Sequence, residues 1–295
     1  MYPHRYPLPA TRYPPVNRYV QLFFAAGVIS ATPASSPALA QAPEPRTVDS
    51  RLFTQRDLVA AGIATAATLA LAAFDRPIAE SVSDPTGRYQ RNAFLRARSQ
   101  EFNHVNEQTL TLGGLALYGI GRVTRQATLA DISFHAAEAV VVASAISQII
   151  RLPLGRERPI VSGNGGSRPF VFRPFKGMRS REYRAFPSIH SASGFAAAAV
   201  LSGEVASRWP HASWYVSPLV YGLAATPGLS RMYMNQHWAS DVVMGAFIGV
   251  VAGQKVVRYN HTTHPRNKVN RFFLGSDAGV ATRGDRLLFQ ITRTF

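Results

Sequence analysis

The sequence predicts an all-α fold, a helical bundle of about six helices followed by a short C-terminal β-hairpin. Three observations lead there. Six stretches rich in Ala, Leu, Val and Gly, each several helical turns long, are separated by proline, glycine or charged segments. Cysteine is absent, so neither a disulfide framework nor a thiolate metal site organises the chain. The final residues switch to period two, with Leu287, Phe289, Ile291 and Phe295 alternating with Leu288, Gln290, Thr292 and Thr294.

At the N-terminus, Arg5, Arg12 and Arg18 precede an apolar stretch from Tyr19 to Ser30, and Ala38-Leu39-Ala40 offers a small-residue cleavage site. Residues 1–40 are therefore expected to be a signal peptide and 41–50, with two prolines and no periodicity, a flexible leader. The helices are expected at 56–74, 108–122, 128–150, 190–208, 212–226 and 238–257, within a helical domain of residues 51–258. Asp57 marks the start of the first, Pro77 follows its end, and Pro210 separates the fourth and fifth. Residues 259–295 form a tail in which the hairpin turns at Arg283-Gly284-Asp285.

The run from 58 to 74 is uncharged and apolar, at the lower edge of the roughly 17–25 residues that span a bilayer. Asp131, His135, Glu138, Glu204, Arg208 and Asp241 interrupt the other stretches, and the mean hydropathy of −0.02 is low for a polytopic membrane protein. A soluble or membrane-associated bundle is thus preferred to an integral one.

With 32 Lys plus Arg against 16 Asp plus Glu, the chain carries a formal +16 and is suited to a partner of negative charge. Nucleic acid is the poorer explanation, since an exported chain without aromatic and basic interleaving lacks the means to stack bases. A phosphorylated small molecule or phospholipid is the better one, with a membrane surface as a further candidate partner. The segment 160–186, with six basic residues from Arg168 to Arg184 against Glu182, reads as an electrostatic funnel for such an anion. His261 and His264 read as two exposed polar residues, without a third metal ligand nearby.

Three clusters carry chemistry. Arg151-Leu-Pro-Leu-Gly-Arg156-Glu157-Arg158-Pro159 offers guanidinium forks that match phosphate oxygens. Pro187-Ser188-Ile189-His190 lies where a helix begins, so free backbone N–H groups, the Ser188 hydroxyl and a His190 general acid can meet one anion. Ser230-Arg231 through His237 to Asp241 sets an imidazole and a carboxylate one helical turn apart, a nucleophile with an orienting partner.

Together the clusters resemble the signature of the type 2 phosphatidic acid phosphatase, class A acid phosphatase and vanadium haloperoxidase superfamily, K-x6-R-P, P-S-G-H and S-R-x5-H-x3-D. The likeness covers residues 151–241 directly. It implies a helical phosphatase in which Arg151, Arg158 and Arg231 grip phosphate while Ser188 and the amide of Ile189 add hydrogen bonds. His237 would attack phosphorus to form a phosphohistidine, Asp241 would orient it, and His190 would protonate the leaving group. It implies no metal and no cofactor in that cycle. Vanadate-dependent halide oxidation, or phosphate or lipid binding with weakened catalysis, are the alternatives. Arg151 stands where the family has lysine, and Ile189 where it has glycine, which puts the pocket's width and backbone conformation in question.

Overall fold

A computed structural model describes residues 51–161, 168–264, 267–283 and 286–293, with side chains described as far as Gly275. The expected signal peptide and leader lie outside the described residues, as do 162–167 of the basic segment.

All six expected helices are present, and five more accompany them. They are α1 (Gln55–Ala72), α2 (Asp75–Ser83), α3 (Arg88–Arg91), α4 (Ala93–Phe102), α5 (Glu107–Val123), α6 (Ala127–Leu154), α7 (Lys176–Arg179), α8 (Ile189–Arg208), α9 (Pro210–Tyr233), α10 (Ala239–Arg258) and α11 (Lys268–Phe273). The expected fold class therefore needs correcting. Among its described residues the body from 51 to 275 has eleven α-helices rather than about six, and no strand, so no hairpin belongs to its packing. Beyond it the backbone alone of Ser276–Arg283 runs antiparallel to Arg286–Arg293.

The extra helices are short, and their boundaries follow local chemistry. Pro77, expected to follow a helix end, instead sits in the first turn of α2, where its missing N–H costs nothing. Pro210 opens α9 for the same reason. Thr54 and Asp57 cap α1 reciprocally: Asp57 Oδ2 accepts from the Thr54 amide at 2.7 Å and from its hydroxyl at 2.9 Å.

The core lies among α6, α8 and α10. Ala139, Val140 and Ala143 meet Ala192, Ala196 and Val200, with Ile248, Ala252, Val256 and Val257 completing the cluster. Small residues let the axes approach closely. On α10, a Cβ at Gly245, Gly249 or Gly253 would fall 2.3, 2.2 or 2.6 Å from the carbonyl oxygens of Ser188, Ala192 and Ala196. These glycines are thus required by contact with α8 rather than by conformation. Their consequence is that the N-termini of α8 and α10 emerge side by side, at the end of the bundle where α6 and α9 finish.

Two helical segments, Ala127–Leu154 and Ala239–Thr263, are long and apolar enough to cross a membrane, and α1 with the bent segment Asp75–Arg91 makes a third candidate. The outer faces carry exposed apolar side chains: Leu58, Ile63 and Leu69 on α1, Leu112 and Ile120 on α5, Ile149 on α6, and Trp214, Leu219 and Leu223 on α9. Apolar side chains exposed on several helix faces are the kind of surface that a membrane or a partner covers. The interrupting charges that argued for a soluble bundle are largely turned inward, since Glu204 and Asp241 are buried and Asp131 pairs with Arg208.

Candidate active site

The chain enters the site through Gly155. This residue closes α6 in the left-handed conformation (φ +64°), and a Cβ there would meet the Arg173 carbonyl at 1.9 Å. The turn sends Arg156 inward. Its guanidinium, 3% exposed, donates to Asp241 Oδ1 at 2.5 Å, to Asp75 Oδ2 at 2.8 Å, to Ser240 Oγ at 2.8 Å and to the Pro169 carbonyl. Asp75 in turn accepts from the Ser240 amide at 2.9 Å and from its hydroxyl. One buried cation thereby ties α2, the basic segment and the first turn of α10 together. Arg156 serves this frame rather than facing the anion pocket.

His237 precedes α10 instead of lying on it, because Trp238 is the N-cap. Asp241 Oδ2 accepts from the Trp238 amide at 2.8 Å and lies 3.6 Å from His237 Nδ1, beyond hydrogen-bonding reach. The imidazole's partner is a main-chain group: Nδ1–H donates to the Ala185 carbonyl at 2.7 Å. A carbonyl only accepts, so the proton sits on Nδ1 and the lone pair on Nε2. That Nε2 is buried and has no hydrogen-bond partner.

Arg158, Arg231 and His190 gather around it. Gln236 Oε1 accepts from Arg158 and, at 3.4 Å, from Arg231 Nη2, while Asn103 Oδ1 accepts from Arg231 Nη1. The Nε atoms of both arginines and Nδ1 of His190 are buried without a partner. The His190 and His237 rings stand 6.4 Å apart. Arg151, at the end of α6 and 7% exposed, is steadied by Gln148 Oε1 at 2.8 Å.

Three guanidiniums in one dry space raise the cost of any further positive charge. Burial first, then Arg231, His237, Arg151 and Arg158, pushes His190 down to about 2. Burial followed by Arg158, Arg231 and Arg151 likewise holds His237 well below its ordinary value. Arg158 falls to about 10, through burial and then its neighbouring arginines, and remains charged. Both histidines are neutral at neutral pH.

Ser188 is the N-cap of α8 and fully buried; its Oγ accepts from the Ser191 amide at 3.4 Å and its own amide donates to the Asp241 carbonyl at 3.0 Å. Ile189 starts α8 with its side chain 2% exposed, and it is not among the residues of positive φ, so its backbone needs no glycine. Several cations of the basic segment have partners within the protein. Arg173 and Lys176 lie over the Tyr183 ring, and Arg184 donates to the carbonyls of Gly177 and Met178.

Sequence reasoning missed Asp75, Asn103, Ala185 and Gln236. Gln236 sits beside His237 and offered a signal through its position; Ala185 acts through a carbonyl and offered none. The arrangement can bind a tetrahedral oxyanion among fixed cations and helix N-termini, with an unprotonated nitrogen directed at its centre.

Comparison with known proteins gives two matches. Residues 132–265 match the PAP2 superfamily. A lipid A 1-phosphatase of Porphyromonas gingivalis is 43% identical over 70 residues, which is 24% of this chain and 15% of that protein. No solved structure matches.

Proposed function

Residues 132–265 are a PAP2 superfamily domain, and on that premise we propose that the chain is a phosphatase acting on a lipid phosphate at the outer side of the cytoplasmic membrane. The observation that carries the reading is the unpartnered Nε2 of His237, buried among Arg158, Arg231 and His190. The likeness to part of a lipid A 1-phosphatase supports a lipid substrate, as do the exposed apolar faces of α1, α5 and α9.

In this mechanism a phosphate dianion docks on the guanidiniums of Arg151, Arg158 and Arg231 and on the first amides of α8, including that of Ile189, with the Ser188 hydroxyl as a further donor. Its two negative charges offset the arginines that keep His190 unprotonated, so substrate binding restores the proton this residue needs as general acid. Nε2 of His237 attacks phosphorus as the bond to the leaving oxygen breaks, and His190 gives that oxygen its proton. The positive charge on the imidazole is stabilised through Nδ1–H by the Ala185 carbonyl, with Asp241 behind it. Water, losing a proton to His190, then splits the phosphohistidine and releases inorganic phosphate. The cycle asks no metal or cofactor of these residues, and export through residues 1–40 would deliver the site to the periplasm.

The test is phosphate release from phosphatidate and from a phosphorylated glycolipid by the full chain in detergent. His237→Ala is expected to abolish release, whereas His190→Ala keeps a slow burst and accumulates acid-labile phosphoprotein. Equal rates for wild type and His237→Ala would refute the proposal.

A further inference from the structure

A second polar cluster occupies the opposite end of the same helices. Asp131 and His135 lie near the start of α6, Glu204 near the end of α8, and His261 in the π-helical turn Tyr259–Thr263 that follows α10. Fourteen residues of α8 separate His190 from Glu204, about 21 Å at 1.5 Å per residue. The cluster therefore takes no part in the phosphate site.

We propose that Asp131, His135, Glu204 and His261 form a binding site for a divalent transition-metal ion, with zinc the best fit. One candidate ligand atom from each residue falls within 4.8 Å of the others. His135 Nδ1 is 3.4 Å from Asp131 Oδ1 and 4.0 Å from Glu204 Oε1, and His261 Nε2 is 2.8 Å from Glu204 Oε1 and 3.8 Å from Asp131 Oδ2. Zinc bonds of about 2.0–2.2 Å in a tetrahedron set ligand atoms roughly 3.4 Å apart, and these separations bracket that value. Two imidazoles and two carboxylates are a donor set that zinc accepts.

The independent observation is His135. Its side chain is fully buried, Nε2 donates to Asn270 Oδ1 at 3.3 Å, and Nδ1 has no hydrogen-bond partner. With the proton on Nε2, the lone pair of Nδ1 faces Asp131 Oδ1 and Glu204 Oε1 with no donor of its own, while His261 Nε2–H donates to Glu204 Oε1 at 2.8 Å, a proton that an arriving cation would displace. A cation resolves that conflict. The surroundings are those of a supported metal site as well: Arg208 pairs with Asp131 Oδ2 and Glu204 Oε2, leaving Oδ1 and Oε1 turned toward the histidines. Asn270 is held by Asn267, whose amide group reaches Asn260 and through it Glu138. Such outer partners orient ligands and tune affinity. The ion would pin α11 and the π-helical turn to α6 and α8, far from the chemistry.

The experiment uses the full-length chain in detergent, stripped with a chelator and titrated with Zn²⁺. Expected are uptake of one zinc per chain, a zinc-dependent rise in Tm, and, with Co²⁺ as probe, the visible absorption of a four-coordinate nitrogen and oxygen site. His135→Ala/His261→Ala should lose uptake while keeping wild-type helical circular dichroism. Asn270→Ala, which leaves all four ligands in place, should weaken it about 10–100-fold. Absence of saturable uptake by wild type, a six-coordinate Co²⁺ spectrum, or undiminished uptake in the double variant would each overturn the site; in that case Asn270 is turned over and Nδ1–H donates to Asp131. The wild-type spectrum decides even if a variant fails to fold.

Discussion

Replacing Arg156 with leucine removes the cation that bridges two fully buried carboxylates. Asp75 and Asp241 are both 0% exposed, and Arg156 donates to each and to Ser240 and Pro169 as well. Breaking a buried ion pair by deleting one partner costs about 3–5 kcal/mol, mostly because the remaining charge is stranded. For a domain of this size that is a fall in Tm of roughly 6–20 °C, at about 2–4 °C per kcal/mol. The cost should be shared rather than intrinsic. In a double-mutant cycle with Asp75→Asn, thermal unfolding in detergent is expected to give a coupling of at least about 2 kcal/mol, since each single variant leaves a partner unpaired. Arg156→Lys should recover only part of the loss, as one ammonium cannot reproduce a fork that reaches two carboxylates. Additivity of the two single substitutions within about 0.5 kcal/mol would refute the view that Arg156 organises this end of the bundle.

Stability should fall as pH drops below about 6.5. His190 and His237 titrate well below that in the folded chain, so the unfolded chain binds protons that the native one refuses, at about 1.4 kcal/mol per pH unit for each histidine. His190→Asn should flatten the slope measured by unfolding at several pH values, and bound phosphate should flatten it too; an unchanged slope would refute the assignment. Gly249→Ala places a Cβ 2.2 Å from the Ala192 carbonyl and should destabilise by about 1–3 kcal/mol, whereas Gly203→Ala, with nothing within 4 Å, should be neutral or stabilising. Ile189→Gly should lower stability by about 2–4 kcal/mol through lost burial, with no gain from backbone relief; a more stable variant would show that the β-branched residue is strained there.

The long helices were legible because their apolar runs exceed any loop, and the three clusters because cations, a helix start and an imidazole stand at fixed spacings in the chain. What escaped was long-range or main-chain in origin. Asp75 lies 81 residues before Arg156, and nothing in the local pattern around Asp75 announces that pairing. Asp241 was read as the hydrogen-bonding partner of His237 from their spacing. That spacing holds on a helix, but α10 starts two residues after the histidine, so the carboxylate turns back to cap Trp238. Composition does not reveal which side of a helix a carboxylate occupies, so the inward turn of Glu204 and Asp241 was not legible. His261 was set aside for want of neighbours in the chain, and its neighbours come from α6 and α8.

The Ala185 carbonyl has a consequence for how this chain can vary. Its peptide is itself anchored, since the Ala185 amide donates to the Arg156 carbonyl at 3.1 Å. The protonation pattern of the His237 ring is thus written into the path of the main chain, where no exchange of side chain at 185 can erase it. Only a shift of the polypeptide between Arg156 and Pro187 would do so, and drift in that stretch would silence the proposed turnover while every residue of the signature stayed in place.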